Sequence, residues 1–86
     1  MHEMSIAMDV CRIAEEKVGT AAAADLIKVA VEVGDDSGVE PESLAFCLDV
    51  LLRQNPFRNA QPLILRVPGD VLRVCYLEID DGSPND

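Results

Sequence analysis

The first eighteen residues repeat apolar side chains at steps of three and four, which is the spacing of an amphipathic helix. The apolar positions are Met4, Ala7, Met8, Cys11, Ala14 and Val18, and charged residues lie largely between them. Gly19 is a residue type that commonly ends helices, so we expect the helix to stop there. Residues 20–24 are rich in alanine, and their pattern fits either a continued helix or a crossing to the next element.

Residues 26–33 change to a period of two, which is typical of a half-buried strand. One face of this strand carries Ile27, Val29, Val31 and Val33, and the other carries Lys28, Ala30 and Glu32. Turn-forming residues 34–38 follow, and Pro41 with Glu42 fits the first turn of a second helix. The apolar stripe of that helix is Leu44, Cys47, Leu48 and Leu51, widened by Phe46, Val50 and Leu52. We expect it to end at residues 54–56, because the residue before a proline disfavours helix.

The last third predicts two strands joined by a tight turn. The first strand alternates Leu63, Leu65 and Val67, the turn is Pro68-Gly69-Asp70, and residues 71–79 are rich in β-forming residues. An antiparallel hairpin is the simplest pairing of the two strands. The apolar residues of the last strand run Leu72, Val74, then Leu77, Ile79. That one-residue slip in phase predicts a β-bulge near Cys75 and Tyr76.

These elements predict an α+β fold, with two helices packed on one face of a three-stranded, mostly antiparallel sheet in the order α-β-α-β-β. At 86 residues the chain has room for one core only, so we expect a single domain over residues 1–80. Residues 81–86 are predicted to be a disordered acidic tail. The uncovered sheet face, on which we place Ala30, Ile64 and Arg66, would be solvated or paired. A monomer is therefore the default and a homodimer the alternative.

The charge of the chain excludes some classes of partner. Sixteen acidic residues against seven basic ones give a net charge of −9, the wrong sign for holding nucleic acid or an anionic membrane surface. No apolar run approaches the roughly 20 residues of a spanning helix, and the start of the chain lacks the basic flank of a secretory signal. We therefore predict a cytoplasmic protein.

The three cysteines, Cys11, Cys47 and Cys75, are far apart and each lies in an apolar stretch. This pattern indicates reduced, buried thiols rather than a disulfide framework. The sequence contains no CxxC pair, so no zinc is expected in this chain.

Catalytic combinations are scarce, and we expect no enzyme activity. His2 is the only histidine, so the serines lack a histidine base, and the sequence has no phosphate-binding loop or zinc-protease motif. The simplest interpretation of a histidine at a terminus is a solvated residue.

A metal chelate is the functional alternative for His2. The Met1 amine, the His2 amide nitrogen and the His2 imidazole can form fused rings around one metal, with the Glu3 amide or carboxylate as a fourth donor. Such a planar, nitrogen-rich set suits Ni(II) or Cu(II), whereas zinc prefers a tetrahedron and magnesium prefers oxygen. The amine (pKa about 7.7 to 8.0) and the imidazole (about 6.5) must be deprotonated, so affinity should fall below neutral pH.

Four blocks of the sequence stand out: residues 1–7 (MHEMSIA), 31–34 (VEVG), 37–42 (SGVEPE) and 44–51 (LAFCLDVL). Together with their spacing, these blocks resemble the HypA/HybF family of hydrogenase maturation nickel metallochaperones, and residues 63–68 and 72–80 resemble the last two strands of that family. The resemblance covers nearly the whole chain. One departure is large: the family inserts a zinc module with two CxxC pairs between those strands, and here Pro68-Gly69-Asp70 closes the gap.

The resemblance implies a nickel site at the start of the chain. His2 would bind nickel through its imidazole, the backbone nitrogens of His2 and Glu3 would complete the set, and Met1 would contribute its amine. Glu3 would tune or position the metal. Glu40 matches an acidic position near the nickel site, with a helix-start acid favoured by the dipole as the alternative.

The family also implies a role and partners. Nickel would pass by ligand exchange, without catalysis, to the maturation GTPase HypB or to the hydrogenase large subunit, and in some bacteria to urease maturation proteins. The alternative, from a different class, is an adaptor or docking module of the maturation machinery that keeps the fold but not nickel delivery.

Overall fold

The structure, a computed structural model, describes residues 3–80. In chain order its elements are α1 (Glu3–Val18), α2 (Thr20–Ala23), β1 (Leu26–Gly34), α3 (Pro41–Leu51), β2 (Gln61–Val67) and β3 (Leu72–Ile79). The α+β class and the three-stranded sheet are confirmed, and the alanine-rich connector is the short helix α2. Within the described part of the chain, no helix is both long enough and apolar enough to cross a membrane.

The sheet is mixed, with strand order β2-β1-β3. β1 pairs with β2 in parallel and with β3 antiparallel. The predicted hairpin between the last two strands is therefore wrong, because β1 lies between them. Parallel neighbours need a crossover connection, which α3 supplies, and the central position belongs to the strand with the most buried residues. Within β1, Val29, Ala30 and Val31 are all fully buried.

The residues predicted to form a hairpin turn instead cross over the end of β1. Residues 68–71 form this connection, which we call the crossing connection. A β-carbon at Gly34 would overlap the Gly69 carbonyl oxygen and lie 2.5 Å from the Val71 nitrogen, so the close approach requires glycine. Backbone hydrogen bonds hold the crossing connection: Gly34 N–H donates to Val71 O at 2.6 Å and Asp36 N–H to Gly69 O at 2.9 Å. Just before it, Asp35 N–H donates to Val67 O, at the end of β2, at 2.8 Å.

Both long helices share one core with one face of the sheet. The core includes Ala7, Val10, Cys11 and Ala14 of α1, Leu44 and Leu48 of α3, and Val29, Val31 and Val33 of β1. The inner positions of the predicted helix stripes are correct, but Met4, Met8 and Phe46 at their margins are exposed. α1 is rotated toward Val10 relative to the predicted stripe, which turns Met8 outward.

Two irregularities shift the faces of the outer strands. The predicted bulge in β3 is confirmed: Tyr76 pairs with Ala30 and Val74 pairs with Val31, which leaves Cys75 as the extra residue. A second register shift, between Leu26 and Lys28, was not predicted. One extra residue reverses the alternation of a strand, so Leu26 is buried and Ile27, predicted to be buried, is exposed.

The predicted faces of β2 are also reversed. Ile64 pairs with Val31 and packs against the core, rather than lying on the uncovered face as expected. On the uncovered face, the described strands are joined by cross-strand ion pairs. Lys28 Nζ lies 3.4 Å from Glu78 Oε1, and Arg73 Nε donates to Glu32 Oε1 at 2.6 Å.

Candidate metal site

Two of the four predicted site residues, Met1 and His2, lie outside the described residues. The described chain begins at Glu3, the first residue of α1. The geometry of the site can therefore be built from Glu3 and Glu40, the two predicted carboxylates.

The Glu3 carboxylate contacts the start of α3. Glu40 donates its backbone N–H to Glu3 Oε2 at 3.0 Å, across 37 residues of sequence. Glu40 is the N-cap residue of α3. In a capping box, a Glu or Gln three residues into a helix accepts this N–H, but Ser43 occupies that position in α3. Glu3 takes over that function from α1, and it thereby fixes the start of α1 against the start of α3.

The backbone around Glu40 is held on both sides. Val39 packs into the core, and its N–H donates to Ser37 Oγ at 3.2 Å. Glu40 adopts an extended conformation (φ −82°, ψ 112°), and its carbonyl accepts the first helical hydrogen bond from Leu44 N–H at 3.0 Å. The Glu40 side chain is exposed and makes no cap hydrogen bond within the described chain. Its carboxylate therefore projects from a fixed backbone position beside α3.

This contact lies at the same end of the sheet as the crossing connection. β1 ends at Gly34 and leads through residues 35–40 into α3. Arg66, near the end of β2, lies 3.5 Å from Asp35 Oδ1 through its Nη2 atom. The strand ends, the loop and the start of α3 thus form one surface.

A shallow depression opens beside Glu40, with a volume of about 330 Å³. It is lined by Glu40, Pro41, Glu42, Ala45, Ile64 and Arg66. Sequence reasoning missed Arg66 as a neighbour of the site. Only the parallel pairing of β2 with β1, which brings Arg66 opposite Val33, places it there, and no local signal in the sequence indicates that pairing.

The carboxylates alone do not make a metal site. Within residues 3–80, no three His, Cys, Asp or Glu side chains come together to hold a metal ion. Glu3 and Glu40 can supply hard oxygen donors or negative charge, whereas a nitrogen-rich set for Ni(II) or Cu(II) needs the amine and imidazole of Met1 and His2.

The three cysteines are not part of the candidate metal site. All three are free thiols, as predicted. Burial raises the pKa of Cys11 to about 11, so its thiol stays protonated and is a poor ligand at neutral pH. Cys47 is half-buried, and Cys75, predicted to be buried, is exposed. The bulge turns the Cys75 side chain to the uncovered sheet face, where Sγ lies 3.8 Å from Glu32 Oε2.

Comparison with known proteins gives the family context of this arrangement. Residues 1–80 match the family model described as HypA, hydrogenase/urease nickel incorporation, metallochaperone. A hydrogenase maturation factor HypA from Geobacter metallireducens is 39% identical over 69 residues, covering 80% of this chain and 60% of that protein. The corresponding factor from Albidiferax ferrireducens is 38% identical over 69 residues, covering 80% of this chain and 61% of that protein. The chain thus spans about 60% of the length of these relatives.

A solved structure shows the same fold. The solution structure of the Ni metallochaperone HypA from Helicobacter pylori has a TM-score of 0.66 to this chain at 14% sequence identity. The match covers 95% of this chain and 89% of that one.

Proposed function

The chain belongs to the HypA family of hydrogenase/urease nickel-incorporation metallochaperones, and from this premise we propose that it binds Ni(II) at the start of α1 and delivers it for maturation of a [NiFe]-hydrogenase. The observation that carries the proposal is the 3.0 Å hydrogen bond from Glu40 N–H to Glu3 Oε2. It gives the residues before α1 a fixed base on which a chelate can form. The relatives are named maturation factors, which favours nickel as cargo and no catalysis by the chain itself.

Each residue of the proposed site has a distinct role. The Met1 amine, the His2 amide nitrogen and the His2 imidazole are the proposed nickel donors, and they form fused chelate rings that favour a planar geometry. Glu3 positions the first turn of α1 through Glu40 N–H, and its backbone nitrogen or carboxylate completes the set. The exposed Glu40 carboxylate adds negative charge beside a divalent cation. No zinc is part of the proposed site.

Nickel leaves this site by exchange onto donors of another protein. We propose the maturation GTPase HypB and the hydrogenase large subunit as recipients, with urease maturation proteins in some bacteria. The proposal includes a cytoplasmic location, which three unpaired thiols favour. The chain spans about 60% of its relatives' length, and we propose that this part is sufficient to reach these partners.

The test is a calorimetric titration of untagged protein with Ni(II). We expect one equivalent to bind to the parent, with the absorption band of planar, nitrogen-ligated Ni(II), and no stoichiometric binding to His2→Ala. Glu42→Gln is the matched control, because Glu42 lines the depression beside Glu40 but has no proposed metal contact; it should bind nickel like the parent.

A second variant tests the amine. Two extra residues before Met1 leave the imidazole in place but convert the Met1 amine into a peptide nitrogen, so nickel affinity should fall at least about tenfold. If His2→Ala binds nickel like the parent, the proposed site is wrong, and the docking-module alternative takes its place.

A further inference from the structure

Among residues 3–80, three large apolar side chains lie exposed on the helical layer. Met4 is 42% exposed, Met8 is 59% exposed and Phe46 is 69% exposed. Phe46 is one of only two phenylalanines in a chain without tryptophan, and the other, Phe57, is buried. We call Met4, Met8 and Phe46 the helix-face patch. Exposed apolar side chains mark an interaction surface where they lie near one another on the same layer.

The residues of the helix-face patch lie on the outer sides of α1 and α3. Met4 and Met8 lie one turn apart on α1, and Phe46 lies between the buried Leu44 and Leu48, so it points away from the core. α1 and α3 pack side by side. Next to Met8, a groove of about 260 Å³ lies between α1 and the segment from the end of α3 to Phe57, and its apolar side is lined by Met8, Cys11, Leu51, Pro56 and Phe57. Two packed helices that expose apolar side chains beside such a groove can pack against a third helix.

The charge around the patch is negative. α1 contains four acidic and two basic residues, and α3 contains two acidic and no basic residues. The arginines at the margins are already paired: Arg12 lies 3.3 Å from Glu16, and Arg53 lies 3.3 Å from Asp49. A second copy of the chain would bring the same negative charge to the interface, whereas a basic partner would complement it.

The patch is also continuous with the candidate metal site. Met4 follows Glu3 directly in the first turn of α1, and Glu3 contacts the start of α3. A partner seated on the patch would therefore hold its own donors close to the start of α1.

We propose that the helix-face patch docks an amphipathic helix of the protein that receives the metal, with its apolar side on Met8 and Phe46 and a lysine- and arginine-rich side against the acidic residues of α1 and α3. The inference rests on the proposed function for the direction of transfer, but its test does not require nickel. Methionine side chains suit such a surface, because they adapt to different apolar partners.

The probe is a pair of synthetic 18-residue amphipathic helices that share a leucine face and differ in a lysine or a glutamate polar face. Binding is followed by amide chemical shifts of the ¹⁵N-labelled chain. We expect the lysine peptide to shift amides of α1 and α3, and the glutamate peptide to bind at least about tenfold more weakly.

Two variants make the test specific to the patch. Phe46→Ser should weaken binding of the lysine peptide at least about tenfold. Tyr76→Ser is the matched control, because Tyr76 is an exposed aromatic residue on the uncovered sheet face, and it should bind like the parent. Circular dichroism checks that both variants are folded.

Three outcomes would overturn the inference. These are shifts confined to the uncovered sheet face, equal affinity of Phe46→Ser and parent, or a concentration-dependent dimer of the parent that Phe46→Ser abolishes. Nickel titration of the same variants separates the two proposals. Phe46→Ser should keep its nickel equivalent, and His2→Ala should lose nickel but keep peptide binding.

Discussion

Replacing Gly34 by alanine tests whether the crossing connection is held as closely as the structure indicates. The added β-carbon would overlap the carbonyl oxygen of Gly69 and lie 2.5 Å from the nitrogen of Val71. Both are backbone atoms, so no side chain can rotate away to relieve the overlap. The connection has to move, and its hydrogen bonds to Gly34 and Asp36, at 2.6 and 2.9 Å, have to lengthen.

The magnitude follows from three contributions. Overpacking of this kind costs about 1–3 kcal/mol, and each weakened backbone hydrogen bond costs about 1 kcal/mol. Restriction of the unfolded chain by alanine offsets about 0.4–1 kcal/mol. We therefore expect Gly34→Ala to lower the free energy of unfolding by about 2–5 kcal/mol, which is about 10–40 °C in Tm for a domain of this size.

Gly69→Ala is the matched control within the same connection. Gly69 has φ +87°, and no neighbouring atom lies within 4 Å of the position that a β-carbon would take. Alanine there costs only the left-handed backbone strain of about 1–2 kcal/mol, less the same offset. Urea and thermal unfolding followed by circular dichroism measure both variants. A Gly34→Ala protein within about 0.5 kcal/mol of the parent, or one no less stable than Gly69→Ala, would refute the close approach.

Two further predictions concern α1. Glu3→Ala removes the acceptor of Glu40 N–H, so hydrogen exchange of the Glu40 amide should accelerate at least about fivefold. Glu3→Gln keeps an acceptor oxygen and should preserve most of the protection of that amide. Equal exchange rates in the two variants would contradict the contact. Burial raises the pKa of Cys11 from 9.0 to about 11, so above pH 9 the unfolded state loses its thiol proton before the folded state does. The free energy of unfolding should therefore fall between about pH 9 and 11, by up to about 2 kcal/mol. Urea unfolding at pH 8 and pH 10.5 should show this loss in the parent and a smaller one in Cys11→Ala, and parallel losses would assign the effect to other groups.

The sequence pattern predicted a feature of the fold correctly where neighbouring residues determine that feature. The stop of α1 at Gly19 and the start of α3 at Pro41 follow from neighbouring residues, and the bulge at Cys75 follows from a slip in hydrophobic phase within one strand. Each of these features is encoded in a few consecutive positions.

The pairing of strands and the face on which a side chain lies depend on residues far apart in the chain. The sequence 68–70 has the composition of a hairpin turn, yet β1, the strand with the most buried residues, lies between β2 and β3 and prevents that pairing. The exposure of Ile27 depends on how β1 registers with β3, and the contact of Glu3 with Glu40 spans 37 residues. Family resemblance named these two carboxylates, but only the folded chain shows that a side-chain oxygen of one meets the backbone of the other.

The crossing connection makes the chain asymmetric in its tolerance of length changes. It must bridge two strand spacings, about 10 Å, because β1 separates the strands that it joins. Its four residues, 68–71, give five Cα–Cα steps from Val67 to Leu72, about 18 Å at most, and a deletion of two residues would leave about 11 Å, with no spare length to pass over the end of β1. Lengthening the connection costs little by comparison, since each doubling of the length of a flexible loop costs only about 0.6 kcal/mol. This end of the sheet is therefore a point where evolution or a protein engineer can lengthen the chain freely, but not shorten it.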